Sequence, residues 1–131
     1  MIVLDTDVCI EILHGNPTVC ARLEACGDEV AVAGMTAAEL FYGAEKSAKP
    51  DENRMRVERF LSVVPVLPLD ENTIRTFGSV KACLSGMGCL IPDADLLIAA
   101  TALSRFQPLA TGNTSHFRRV FGLRLENWRD V

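Results

Sequence analysis

The sequence predicts an α/β fold, a central mostly parallel sheet flanked by helices, and three observations carry that expectation. Short runs of β-branched and aliphatic residues alternate along the chain with segments whose apolar positions recur at helical spacing. Those short runs are apolar at nearly every residue, as strands covered on both faces require. The chain of 131 residues, 49% hydrophobic and 23% charged, has the size and composition of one packed unit, so residues 1–131 are expected to form a single domain.

The elements follow in order. Residues 2–5 read as a short buried strand, and residues 7–14 as a helix that stops at Gly15. Asn16-Pro17 opens a second helix with proline at its first position, reaching about residue 25. "EVAVAG" (29–34) is a second strand and "TAAELFYGAEKSA" (36–48) a helix. Pro50-Asp51 starts another helix, with Met55, Val57, Phe60 and Leu61 as its apolar positions, and "VPVLPL" (64–69) is a strand carrying prolines. A long helix spans about 71–84 before a glycine-rich loop at 86–88. "DADLLIAATALSRF" is a strongly apolar helix, "PLAT" (108–111) a strand, and "LRLEN" (123–127) a last, edge strand. In a sheet of this kind the ligand crevice lies at the carboxyl ends of the strands, where strand order switches.

Composition removes several function classes. No run approaches the ~20 apolar residues needed to cross a bilayer, and Asp5 interrupts the N-terminal apolar run, so a cytoplasmic protein with no membrane partner is expected. The five cysteines are odd in number, form no C-x-x-C pair and read as reduced core residues. The two histidines, His14 and His116, read as surface or packing residues, being too few and too isolated for a zinc site. A net charge of −4 argues against a global positive field for nucleic acid, but not against a local patch such as Arg118, Arg119 and Arg124.

The opening "MIVLDTDVCI" drives an apolar strand directly into two carboxylates, Asp5 and Asp7. Asp5, Glu39, Asp95 and Asn113 share one placement: each follows a strand or lies in the first turn of the helix after it, so a parallel sheet would bring them to one edge. Each also has a local structural explanation. Thr36-x-x-Glu39 is a capping box, Asp93 can cap its helix, Asp95 suits the first-turn dipole, and Asn113 suits a tight turn. Taken together, Asp5, Asp7, Glu39 and Asp95 within a few ångströms would repel, raising some pKa values or recruiting a divalent cation. Hard oxygen donors suit Mg²⁺ or Mn²⁺, and such a cage supports phosphodiester hydrolysis without a histidine base or a cysteine nucleophile.

With these residues in place, the sequence resembles the PIN-domain ribonucleases, and most closely the VapC toxins of bacterial and archaeal toxin–antitoxin pairs. "MIVLDTDVCI" looks like the family's opening strand, "TAAELFYGAEKS" its second acidic motif, "DLLIAATAL" its third, and "ATGNTSHFRRVFGLRLENW" its closing segment. The resemblance implies a three-layer PIN sandwich and Mg²⁺-dependent cleavage of RNA by metal-activated water, with a structured RNA such as tRNA as substrate. It also implies a VapB-type antitoxin as partner and a homodimer. Residue by residue, it makes Asp5 and Asp95 the principal metal ligands and Glu39 the third acidic member. Asn113 takes a fourth polar position that is often Asp, and Thr6 supports the carboxylates. Asp7 stands where many relatives carry Asn, and Asp95 is preferred to Asp93 because "DLLIAA" follows it directly.

Rival readings remain open at this level. A strand running into D-x-D also begins haloacid-dehalogenase-type phosphatases, and a phosphorelay receiver domain fits the length. Both expect a downstream lysine that "ATGNT" does not offer. A PIN-like domain kept only for partner binding is the non-enzyme alternative. Charge reversal at Arg118 and Arg119 would weaken RNA binding if those residues meet the substrate.

Overall fold

The structure is a computed structural model that describes residues 1–129. Five strands form one sheet: β1 (Ile2–Leu4), β2 (Val30–Ala33), β3 (Val66–Leu67), β4 (Leu109–Thr111) and β5 (Leu125–Asn127). Their order is β3-β2-β1-β4-β5 and all four pairings are parallel. The registers align Val3 with Ala31 on one side and with Leu109 on the other. The α/β class and the parallel sheet are therefore as the apolar runs predicted.

Period-two alternation divides the core between the two faces. Ile2, Leu4, Val32 and Ala110 point to one face, where they meet α1 (Thr6–Leu13), α2 (Pro17–Ala25), α3 (Gly34–Glu45) and α4 (Pro50–Val63) through Val8, Val19, Leu40 and Val57. Val3, Ala33 and Leu109 point to the other, against α5 (Glu71–Gly86), α6 (Asp93–Leu103) and α7 (Thr114–Phe117) through Leu84, Leu96, Ala99 and Phe117. The result is helix, sheet and helix in three layers. Among the described residues, no helix is long and apolar enough to cross a membrane.

Several boundaries move from the sequence expectation, each for a local reason. Asp5 is not the last strand residue but the N-cap of α1, its carboxylate accepting from the Thr6 backbone N–H at 2.8 Å. Thr36 and Glu39 do not form a capping box. Helix α3 begins two residues earlier at Gly34, with Ala33 as an N-cap that offers no side-chain bond, so Thr36 is already inside the first turn and buried. Asp93 is not a cap either: Pro92 holds that position, and Asp93 turns outward to an ion pair with Lys81 at 2.9 Å. The proline-bearing third strand shrinks to two residues at the sheet edge between Pro65 and Pro68, neither of which has an N–H to extend the ladder. The apolar helix ends at Leu103, and Phe106 follows with φ of 56°, a left-handed residue that turns the chain into β4. Helix α7 falls where no helix was expected, one turn too short to show a period.

Candidate active site

The strand order reverses beside β1: the chain leaves β1 toward β2 and leaves β4 toward β5, so the carboxyl ends of β1 and β4 open a crevice between diverging connections. Asp5 stands at its floor. It is 4% exposed, its backbone N–H donates to the Ala110 carbonyl, and its second carboxylate oxygen accepts from the buried Thr111 hydroxyl at 2.7 Å. Burial, then the neighbouring charges of Asp7 and Asp95, push its pKa from the ordinary 3.8 up to about 7, against the opposing bonds from Thr111 and Thr6.

Asp7, in the first turn of α1, accepts from the Gly112 backbone N–H at 2.9 Å through Oδ2, while its Oδ1 is buried with no hydrogen-bond partner. A buried carboxylate oxygen without a donor is costly unless a cation or proton meets it. Cys9 lies beneath both carboxylates. Burial, then Asp5 and Asp7, push its thiol pKa up, so it stays protonated and is no nucleophile.

Thr6 joins the first and second acidic motifs. Its hydroxyl donates to Glu39 Oε1 at 2.6 Å and lies 3.1 Å from the Thr36 hydroxyl, while its backbone N–H holds Asp5. Asp95, in the first turn of α6, is met by a residue the sequence reading had set aside. His116 Nδ1 lies 3.0 Å from Asp95 Oδ2 and 2.9 Å from Asn113 Nδ2. One ring nitrogen serves those two neighbours only in opposite states: protonated, it donates to Asp95, and unprotonated, it accepts from Asn113. His116 is thus neither a plain surface residue nor a packing residue. Asn113 completes the turn, its N–H donating to the Thr111 hydroxyl at 2.9 Å.

The structure therefore gathers Asp5, Thr6, Asp7, Glu39, Asp95 and Asn113 along one sheet edge, linked by short bonds, while Asp93 is committed elsewhere to Lys81. Arg119 donates to the Leu90 carbonyl at 3.2 Å, and Arg118 is exposed at the end of α7. Among the described residues, no three Asp, Glu, His or Cys side chains stand together as a ready-made metal cage. The expected cage is looser than its motifs suggested because each carboxylate has taken protein donors: Thr6 holds Glu39, His116 holds Asp95, and Thr111 holds Asp5. The donor set nonetheless fits a hard divalent cation. It is built on carboxylate oxygens, burial and the charge of Asp7 raise the pKa of Asp5 to about 7, and Asp7 Oδ1 is left without any donor.

Four residues of the site escaped sequence reasoning: Thr111, Gly112, His116 and Arg129. The signal for the first three was the segment "ATGNTSH", whose hydroxyl, glycine and imidazole all cluster around the one turn that follows β4. Arg129 had no local signal. It is 122 positions from Asp7 in sequence (129 − 7) and reaches the carboxylate only through the fold.

Comparison with known proteins agrees with this geometry. A family model described as "PIN domain" matches residues 2–122. Ribonuclease VapC2 of Haemophilus influenzae is 39% identical over 95% of this chain and 96% of its own length. The tRNA(fMet)-specific endonuclease VapC of Shigella flexneri is 36% identical over the same shares. Among solved structures, the crystal structure of VapBC2 from Rickettsia felis bound to a DNA fragment from their promoter contains a chain that superposes with a TM-score of 0.90. That chain is 32% identical, and the match covers 98% of this chain and 99% of that one.

Proposed function

The chain belongs to the PIN-domain family, and from that premise we propose a residue-level reading of it as the endoribonuclease toxin of a type II toxin–antitoxin pair. It hydrolyses RNA phosphodiester bonds at the edge where Asp5, Asp7, Glu39 and Asp95 meet, with Mg²⁺ or Mn²⁺ as cofactor. The observation that carries the reading is Asp5: a carboxyl 4% exposed, raised to about 7, beside an Asp7 oxygen that no protein donor satisfies.

Asp5 and Asp95 would be the principal ligands of the cation, with Glu39 and the free oxygen of Asp7 completing the set. The cation supplies the positive charge that activates water and stabilises negative charge developing at phosphorus. The chain's own residues do the rest. Thr6 and Thr111 each fix one oxygen of Asp5, so its carboxylate is presented in a single orientation. Thr6 also fixes Glu39, coupling the first motif to the second through one side chain. With its Nδ1 protonated, His116 orients Asp95; with that nitrogen unprotonated, it accepts from the Asn113 amide instead. Burial and the charge of Asp7 favour the protonated form of Asp5, and a bound cation would favour its ionised form.

The name of the Shigella relative supports tRNA as the substrate class, and the Rickettsia complex supports a VapB-type antitoxin as partner. Residues 1–131 act as one domain in the cytoplasm, as a homodimer. The test uses purified chain free of antitoxin, incubated with total RNA in Mg²⁺, Mn²⁺ or chelator, beside Asp5→Asn. Discrete metal-dependent cuts absent from the variant support the reading, and their mapped ends give the target. Intact RNA under every metal condition, with the fold confirmed and no divalent-ion binding by titration, would leave a PIN domain that only binds partners.

A further inference from the structure

Among the described residues, Arg129 is the one arginine or lysine whose ion pair reaches a carboxylate of the acidic cluster. Its Nη1 lies 3.6 Å from Asp7 Oδ2 and its Nη2 3.5 Å from Glu11 Oε1, one turn further along α1. The fold builds this placement. Trp128, immediately before it, is buried and its backbone N–H donates to the Thr111 carbonyl, while the Arg129 backbone N–H donates to the Asn127 side chain. The stem then crosses Gly112, where an added Cβ would fall 2.2 Å from Arg129 Cδ and 2.8 Å from Cγ. Gly112 does not have a positive φ, so this glycine is required for space rather than for backbone conformation.

The guanidinium is tethered but not saturated. Its contacts to Asp7 and Glu11 are longer than a charge-assisted hydrogen bond, and the side chain is 46% exposed. A polyanionic strand approaching a chain of net charge −4 needs a cation at the rim of the carboxylate cluster. The planar fork of arginine matches the paired oxygens of a phosphate.

We propose that Arg129 is a phosphate-positioning residue, whose guanidinium takes the non-bridging oxygens of a phosphodiester next to the scissile one and holds the RNA across Asp7. This rests on the ribonuclease reading above. Gly112 is its structural complement, because any side chain there displaces the stem from the turn.

The experiment is steady-state cleavage of an RNA that the unmodified protein cuts, at saturating and at limiting Mg²⁺ and, at saturating Mg²⁺, over a series of KCl concentrations. Arg129→Gln, Arg129→Lys and Gly112→Ala are compared with the unmodified protein, with thermal melts to confirm folding. Arg129→Gln is expected to raise KM about tenfold with little change in kcat, and to reduce the slope of log KM against log salt by about 0.7, the share of one single-strand phosphate. Lysine restores part of the loss, and Gly112→Ala raises KM in the same sense. An Arg129→Gln variant with unchanged KM and salt slope overturns the proposal. So does one whose kcat rises at low Mg²⁺, which would make Arg129 a plug on Asp7. An unmodified protein that cuts no RNA sinks the ribonuclease reading and this proposal with it, a result distinct from normal cutting by all the variants.

Discussion

Asp5 concentrates the chemistry of the site in one titrating group. Its folded pKa of about 7 lies above the ordinary 3.8, so the folded chain holds a proton that the unfolded chain has already lost between those values. Stability from this group is therefore fullest below pH ~4, falls as pH rises toward 7, and stays lowered above it, by at most about 4 kcal/mol. Asp5→Asn is expected to raise the metal-free melting temperature at pH 8 and to leave it unchanged at pH 4, while abolishing RNA cleavage. A melt series at the two pH values, with and without Mg²⁺, checks this, and Mg²⁺ should stabilise only the unmodified protein. Thr111→Val removes the donor that lowers the Asp5 pKa, so the pH–rate profile should move to higher pH. Activity at neutral pH should fall about 10–100-fold, the usual cost of losing a bond that orients a ligand.

At the scale of the element, α6 shows how packing follows from composition. Leu96, Ile98, Ala99, Ala100 and Ala102 are all fully buried, because the helix lies against the sheet while α5 covers it. Leu96→Ala should cost about 2–5 kcal/mol in urea unfolding, as a cavity in a close-packed layer does. Val63→Ser, at a position 78% exposed, should cost almost nothing. Elements of this kind were legible from the sequence because their apolar pattern is their reason for existing. Helix α7 was not, since four residues cannot display a 3.6-residue period. The start of α3 was misplaced because Thr36 and Glu39 have the residue types of a cap, and only the fold shows that Thr6 has claimed both side chains. That Asp5, Glu39 and Asp95 fall along one sheet edge was legible because strand ends mark them. Their partners were harder to read: Thr111 and His116 lie in a turn segment whose pairing with Asp5 and Asp95 only the fold creates, and Arg129 reaches Asp7 with no local trace.

For the whole molecule, the single tryptophan is a useful reporter. Trp128 is 1% exposed and packs among Ile2, Leu4 and Ala110, so its fluorescence follows closure of β1 and β4. Stopped-flow refolding read by this signal should proceed on the order of milliseconds to seconds, since parallel pairing across most of the chain must form before it is rewarded. A microsecond phase carrying the full amplitude would show that the core forms from local contacts instead.

The position of β1 in the middle of the sheet also orders events during synthesis. The first strand to leave the ribosome is the one whose second partner, β4, is made nearly last, and Asp5 waits 106 positions for Thr111. At ~5–20 residues per second that interval is about 5–20 s, during which the floor of the crevice has no second wall. A chain that stops before β4 therefore lacks the Thr111 side of the crevice. The same geometry gives any binding partner several seconds in which to be present before β4 completes the crevice.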